Sequence, residues 1–222
     1  MSTFRRVLSS SVGTKLLIGL TGLALFVYLI LHLVGNALIF AGPGLFNEYA
    51  HTLISNPLII PIEIGLAAIF AIHIYKTIRM WFANRAARPV SYAKKEMAGH
   101  TSRKSLASST MIVSGLVTLF FVLVHVKQFK YGAWYQVADA PEVRDLHRLE
   151  VEVFQSPLWV AFYVLCTVLV GLHLRQGITS GFQSLGLDHP LYTRRLTTWG
   201  LIGAIVIGGG LALIPIWVYL TY

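Results

Sequence analysis

Five long apolar runs divide the chain, roughly Leu16–Phe40, Leu58–Phe82, Leu106–Val126, Leu158–Ile178 and Leu196–Tyr219. Each can cross about 30 Å of hydrocarbon as a helix rising about 1.5 Å per residue. Polar and turn-forming residues bound the runs. Ser9–Ser11 and Thr14 offer capping oxygens before the first, which ends at Ala41-Gly42-Pro43-Gly44. Asn56-Pro57 and Ser156-Pro157 open the second and fourth, proline being favoured at a helix start. Segment Ala83–Ser105 is basic and polar and reads as a solvated loop. Within Lys127–Gln155, Val143, Leu146, Leu149 and Val153 recur at helical spacing with charges between them, which predicts a short helix along the membrane surface. The pattern predicts an all-α membrane protein, with residues 1–222 forming one five-helix domain and no separate soluble module.

The last run is rich in small residues, among them Gly200, Gly203, Ala204, Gly208, Gly209 and Gly210. Small residues let helices approach closely in a bilayer, so this run reads as a packing helix. The first run is too long for the apolar core of a signal peptide, and it is expected to stay in the mature chain.

A net charge of +9 raises nucleic acid as a partner, but the charge distribution assigns it to topology. With the N-terminus inside, the basic residues gather on one side: Arg5, Arg6 and Lys15 in the N-terminal arm, the run from Lys76 to Lys104, and Arg175, Arg194 and Arg195. Lys127, Lys130, Arg144 and Arg148 fall outside, among Asp139, Glu142, Asp145, Glu150 and Glu152. The positive-inside rule then gives N-in, C-out, with no nucleic acid partner. The single cysteine, Cys166, allows no disulfide within the chain, and no Cys-x-x-Cys-His sequence offers covalent haem attachment.

Four histidines lie inside four of the spans: His32, His73, His125 and His173. Ionisable groups at that depth are costly and point to function. Counted along each helix, His32 and His125 fall in the outer half, and His73 and His173 in the inner half. The two levels differ by roughly 10–20 Å. A lone buried histidine is more often a packed, hydrogen-bonded side chain. Four, paired by depth, suggest two bis-histidine b-type haems stacked across the bilayer. Zinc fits poorly, because no cysteine or carboxylate completes a four-ligand set. Thr14 and Thr21 lie near the His32 face, Ser114 and Thr118 near that of His125, and Gly177 and Ser184 near that of His173. Such small or hydroxyl residues leave room for a macrocycle. Lys76, Arg79 and Arg175 stand at the inner level, where haem propionates would need cations. His51, His100, His147 and His189 lie in connections and read as solvated, His147 near the membrane surface.

Three stretches carry a family resemblance. One runs from Ser10-Ser11 through Lys15 and Gly19-Leu20-Thr21-Gly22-Leu23 to His32-Leu33-Val34-Gly35-Asn36. Another is Asp145-Leu146-His147 with Val151 and Phe154, leading to Pro157. The most specific is His173-Leu174-Arg175-Gln176-Gly177-Ile178-Thr179-Ser180-Gly181-Phe182-Gln183-Ser184-Leu185-Gly186. With the helix count, the chain resembles the cytochrome b558-type, five-helix, di-haem anchor subunit of succinate dehydrogenase and fumarate reductase, the succinate:quinone oxidoreductases. The resemblance implies ligation of two haem b groups by His32, His73, His125 and His173. It also implies a flavoprotein and an iron–sulfur subunit on the cytoplasmic face of the cell inner membrane, and electron transfer to or from a quinone, menaquinone or a similar one. Dicarboxylate chemistry would belong to the flavoprotein, since this chain has no dinucleotide-binding glycine motif. The chain departs from the family at Gln176, where members often carry a second histidine.

Glu63 is the one acidic residue well inside a span, near the outer end of the second and level with His32. Either it relays protons for a quinone beside the outer haem, or it is a structural carboxylate bonded to a neighbouring helix. Two readings from other classes compete with electron transfer. One is a haem-free proton-coupled transporter with histidine relays, although broken midplane helices are not evident. The other is a purely structural anchor whose histidines only pack.

Overall fold

The computed structural model describes residues 10–87, 106–187 and 189–222, and these are mostly helical. Helix α1 is Ser11–Asn36; the Ser10 hydroxyl caps it by accepting the Gly13 N–H at 3.0 Å. A 3-10 turn at Ala37–Ala41 extends it, and Gly42, at φ 101°, turns the chain into α2, Pro43–Ser55. Helix α3 is Ile59–Ala86, with the Asn56 side chain accepting the Leu58 N–H at 2.9 Å just before it. The short α4, Leu106–Ser109, precedes α5, Met111–His125, which runs on as a π-helical turn through Lys130. Strands β1, Gln136–Val137, and β2, Ala140–Arg144, form an antiparallel hairpin. Helix α6 is Leu146–Phe154, and the Asp145 carboxylate caps it by accepting the Arg148 N–H at 3.0 Å. Helix α7 is Pro157–Ser184. The last span comprises α8, Pro190–Ala204, a π-helical segment at Ile205–Gly209, and α9, Gly210–Thr221.

Five helical stretches are long and apolar enough to cross a membrane: Ser11–Ala41, Ile59–Ala86, Met111–Lys130, Pro157–Ser184 and Leu191–Thr221. The chain is a multi-pass membrane protein. Large apolar side chains such as Leu31, Ile64, Leu123 and Leu165 stay exposed, as a lipid-facing surface requires. Four of the five observed spans outrun their apolar runs. Helix α7 continues six residues past Ile178, and its hydroxyls there bond back to their own helix, Ser184 to the Ser180 carbonyl at 2.7 Å and Thr179 to that of Arg175 at 3.3 Å. The third span starts later than Leu106, because the chain breaks helical geometry at Thr110.

Helix α7 is the centre of the bundle and packs against α1, α5, α8 and α9, while α3 packs chiefly against α1. Glycines set the closest crossings. A Cβ on Gly19 would stand 3.1 Å from the Gly181 carbonyl, and one on Gly208 would stand 2.9 Å from the Gly171 Cα. The last span is thus the packing helix its small residues predicted. Four helices, α1, α3, α5 and α7, carry the intramembrane histidines.

One end of the bundle is capped by α2, the hairpin, α6 and the C-terminal Tyr222. Helix α2 was not expected. Its polar Asn47, Glu48, His51 and Thr52 hide an apolar face that buries Phe46 and Ala50. The Asn47 amide donates to Asp145 at 2.8 Å and its carbonyl accepts the His147 N–H at 2.9 Å, so α2 clasps the start of α6. The expected short helix is present as α6, with Val143 in β2 instead. The solvated reading of His147 is wrong. Because α2 and the C-terminus cover α6, His147 is buried, packs on Phe46 and lies 3.1 Å from the Tyr222 hydroxyl. Burial holds its imidazole below the ordinary range, against the opposing pull of Asp145. Glu150 is buried as well, and desolvation pushes its carboxyl up to about 8.

Candidate functional site

The structure brings the rings of His32 of α1 and His125 of α5 together, edge to face. Their ring centroids lie 5.7 Å apart, with planes at 87°. Metal–imidazole bonds of about 2.0–2.1 Å on either side of one ion put two ring centres roughly 6 Å apart. Aromatic side chains surround this pair. Tyr28 stacks on His32 at 5.5 Å, and Phe121, Phe129 and Tyr163 approach His125 at 5.7, 5.3 and 6.0 Å. Tyr163 is itself fixed by donating its hydroxyl to Gln128 at 2.7 Å. The Asn36 amide nitrogen lies 3.4 Å from both ring nitrogens of His32 and donates to the His32 carbonyl at 2.8 Å. The His125 Nδ1 is buried with no hydrogen-bond partner among the described residues.

His73 of α3 and His173 of α7 lie within electrostatic range of each other. Their surroundings are polar. The Nδ1 of His73 is 3.1 Å from the Thr21 hydroxyl, and the Nδ1 of His173 is 3.1 Å from the Ser114 hydroxyl. Both hydroxyl residues are buried. Each ring also interacts with a backbone carbonyl, His73 with Ile18 and His173 with Met111. Glycines face the ring edges. A Cβ on Gly22 would meet the His73 Cε1 at 3.1 Å, and one on Gly115 would meet the His173 Cε1 at 3.2 Å.

The other expected site residues are less concentrated. Thr118 returns its hydroxyl to the Ser114 carbonyl at 2.8 Å. Gly177 and Ser184 serve packing: the first faces Met111 and the second faces Gly19. Lys76 and Arg175 are half-buried and Arg79 is exposed, all beyond the His73 and His173 positions toward the uncapped end. Glu63 is half-buried and forms an ion pair with Lys130, joining α3 to the turn that follows α5. Arg85 lies over the Trp81 ring at 5.2 Å, whereas Arg88, Lys94, Lys95, His100, Arg103 and Lys104 fall outside the described residues. His189 caps α8, its Nδ1 accepting the Leu191 N–H at 3.3 Å. Gly22, Gly115 and Tyr163 were missed as site residues, although a glycine inside an apolar span was a usable signal.

Among the described residues, no group of three or more His, Cys, Asp or Glu side chains is placed to hold a metal ion. The arrangement instead offers two imidazoles to one centre, which suits an ion whose remaining ligands come from a macrocycle. The glycine edges at His73 and His173, and the orphaned nitrogen at His125, are consistent with such a group. Comparison with family models, curated proteins and solved structures finds no match to this chain.

Proposed function

We propose that this chain is the di-haem cytochrome b membrane anchor of a succinate:quinone oxidoreductase. The observation that carries the reading is the assembly of four intramembrane histidines, one from each of four helices, into two pairs. In this reading His32 with His125 and His73 with His173 would hold two b-type haems, one pair to each. Haem, when bound, supplies a one-electron redox centre at each level. The chain's own residues orient the imidazoles and exclude water with the aromatic cage around His125, and Lys76, Arg79 and Arg175 would neutralise the propionates. In this reading Glu63 would exchange protons with a quinone near the His32 level, while its ion pair with Lys130 fits a structural carboxylate equally.

The orientation in this proposal is N-in, C-out in the cell inner membrane, with the uncapped end toward the cytoplasm. The basic residues there then face an iron–sulfur subunit and, through it, a flavoprotein. A reduced-minus-oxidised visible spectrum of the purified complex tests the reading. Two b-type haems per chain, lost pairwise on histidine substitution, support it. A chain that purifies intact without haem bands overturns it and favours the proton-coupled transporter. Reduction of the bands by succinate in the assembled complex tests the partner assignment separately.

A further inference from the structure

Helices α1 and α5 carry the same pattern. Thr21-Gly22-Leu23 stands eleven residues before His32, and Ser114-Gly115-Leu116 stands eleven residues before His125. Eleven residues make about three helical turns, so the hydroxyl and the histidine share a face. An aromatic ring sits one turn before each histidine and contacts it, Tyr28 against His32 and Phe121 against His125. Helices α3 and α7 match in turn, with Pro57 sixteen residues before His73 and Pro157 sixteen before His173. The α1–α3 pair is therefore repeated as α5–α7. In each pair the first helix's hydroxyl, and the carbonyl three residues before it, address the second helix's histidine.

We infer that Thr21-Gly22 and Ser114-Gly115 are matching cradles that fix His73 and His173 as Nδ1–H donors and so present the Nε2 of each as a ligand. This rests on the haem-ligand reading above. A hydroxyl whose proton goes to a carbonyl of its own helix can only accept from a ring nitrogen beside it, so the Nδ1 that Thr21 or Ser114 faces carries the proton. The Thr21 hydroxyl already donates to the Leu17 carbonyl at 2.6 Å, which leaves its oxygen to accept from His73. Ser114 donates in the same way to the Met111 carbonyl, at 3.1 Å. With Nδ1 protonated, each Nε2 keeps its lone pair. The Nδ1–H bond also makes the ligand more basic and fixes the ring's rotation. Gly22 and Gly115 complete the cradle, since a side chain there would press on Cε1. Thr21, Gly22, Ser114 and Gly115 are positioning residues, acting through the histidines.

Redox titration of the two haem centres in the assembled complex tests this. Thr21→Val and Ser114→Ala are each expected to raise the midpoint potential of one and the same centre, the one lost in His73→Ala. Thr21→Ser and Ser114→Thr keep the acceptor and should hold the wild-type potential. Gly115→Ala keeps every hydroxyl and should perturb that same centre, which preserves the test if a hydroxyl variant fails to assemble. No shift in these variants, or a shift at the centre lost in His125→Ala, overturns the cradles. A wild-type complex without haem overturns the haem-ligand reading instead. In that case 15N spectra of the histidine-labelled chain decide the cradles alone. Nδ1–H tautomers at His73 and His173 that depend on Thr21 and Ser114 sustain them, and Nε2–H tautomers overturn them.

Discussion

His73 and His173 each meet a hydroxyl and a backbone carbonyl of a neighbouring helix, while His32 and His125 meet aromatic rings, with Asn36 beside His32. Hydrogen bonds specify which ring nitrogen points where; an aromatic cage specifies only the space a ring can fill. One pair is thus oriented by polar contacts worth about 1 kcal/mol each, the other by packing and exclusion of water. The same four helices serve both, so the difference comes from which residues each helix presents at each depth.

The largest test of this comparison is removal of a ligand. His73→Ala and His173→Ala should each abolish the same haem, and His32→Ala and His125→Ala the other, as read by low-temperature spectra and redox titration. Loss of one common haem from His32→Ala and His173→Ala would break the pairing. Next comes Glu63→Gln. Glutamine keeps the shape but cannot titrate and gives up the charge partner of Lys130. Both haems should remain, while quinone-linked turnover falls on the order of 10²-fold if Glu63 transfers protons. Succinate oxidation with an artificial acceptor upstream should continue. Unchanged quinone turnover would restrict quinone chemistry to the His73 level.

Much of the bundle was legible in the sequence, because a bilayer leaves few ways to place five apolar runs. The depth of each histidine followed from counting along a helix, and His32 does face His125. The cap was less legible. Helix α2 carries apolar pairs four residues apart, Leu45-Phe46, Tyr49-Ala50 and Leu53-Ile54, a helical repeat that was overlooked, whereas its partner face on α6 lies a hundred residues away and no local pattern revealed that both bury each other. The same blindness hid His147 and Glu150, which look like surface residues until α2 and Tyr222 cover them. Thr21 and Ser114 were noticed as small polar residues near a macrocycle. Their role toward histidines on other helices required the helix packing.

A smaller effect tests how the cap supports the aromatic-caged pair. Glu150 lies close enough to Tyr163 to interact electrostatically, and Tyr163 contacts His125. Its carboxyl is pushed up to about 8, while an unfolded glutamate titrates near 4.3. Between those values the folded chain holds a proton that the unfolded chain has released. Stability from this group is therefore full below about 4.3 and is lost as pH rises through about 8. Glu150→Gln should flatten that slope and raise the thermal midpoint most at alkaline pH. An unchanged pH profile would mean the carboxyl is hydrated in the membrane-embedded protein.

The smallest effect isolates packing from hydrogen bonding at His125. Tyr163→Phe keeps the ring that contacts His125, Phe121 and Phe129 but removes the bond to Gln128. The expected cost is about 1 kcal/mol of stability, because the Gln128 acceptor loses its partner. If the cage acts by shape, the potential of the His125 centre should stay near that of the wild type. Thr21→Val, which also deletes a single hydroxyl, should move the other centre. Equal potential shifts from Tyr163→Phe and Thr21→Val would remove the distinction between a level set by packing and one set by hydrogen bonds.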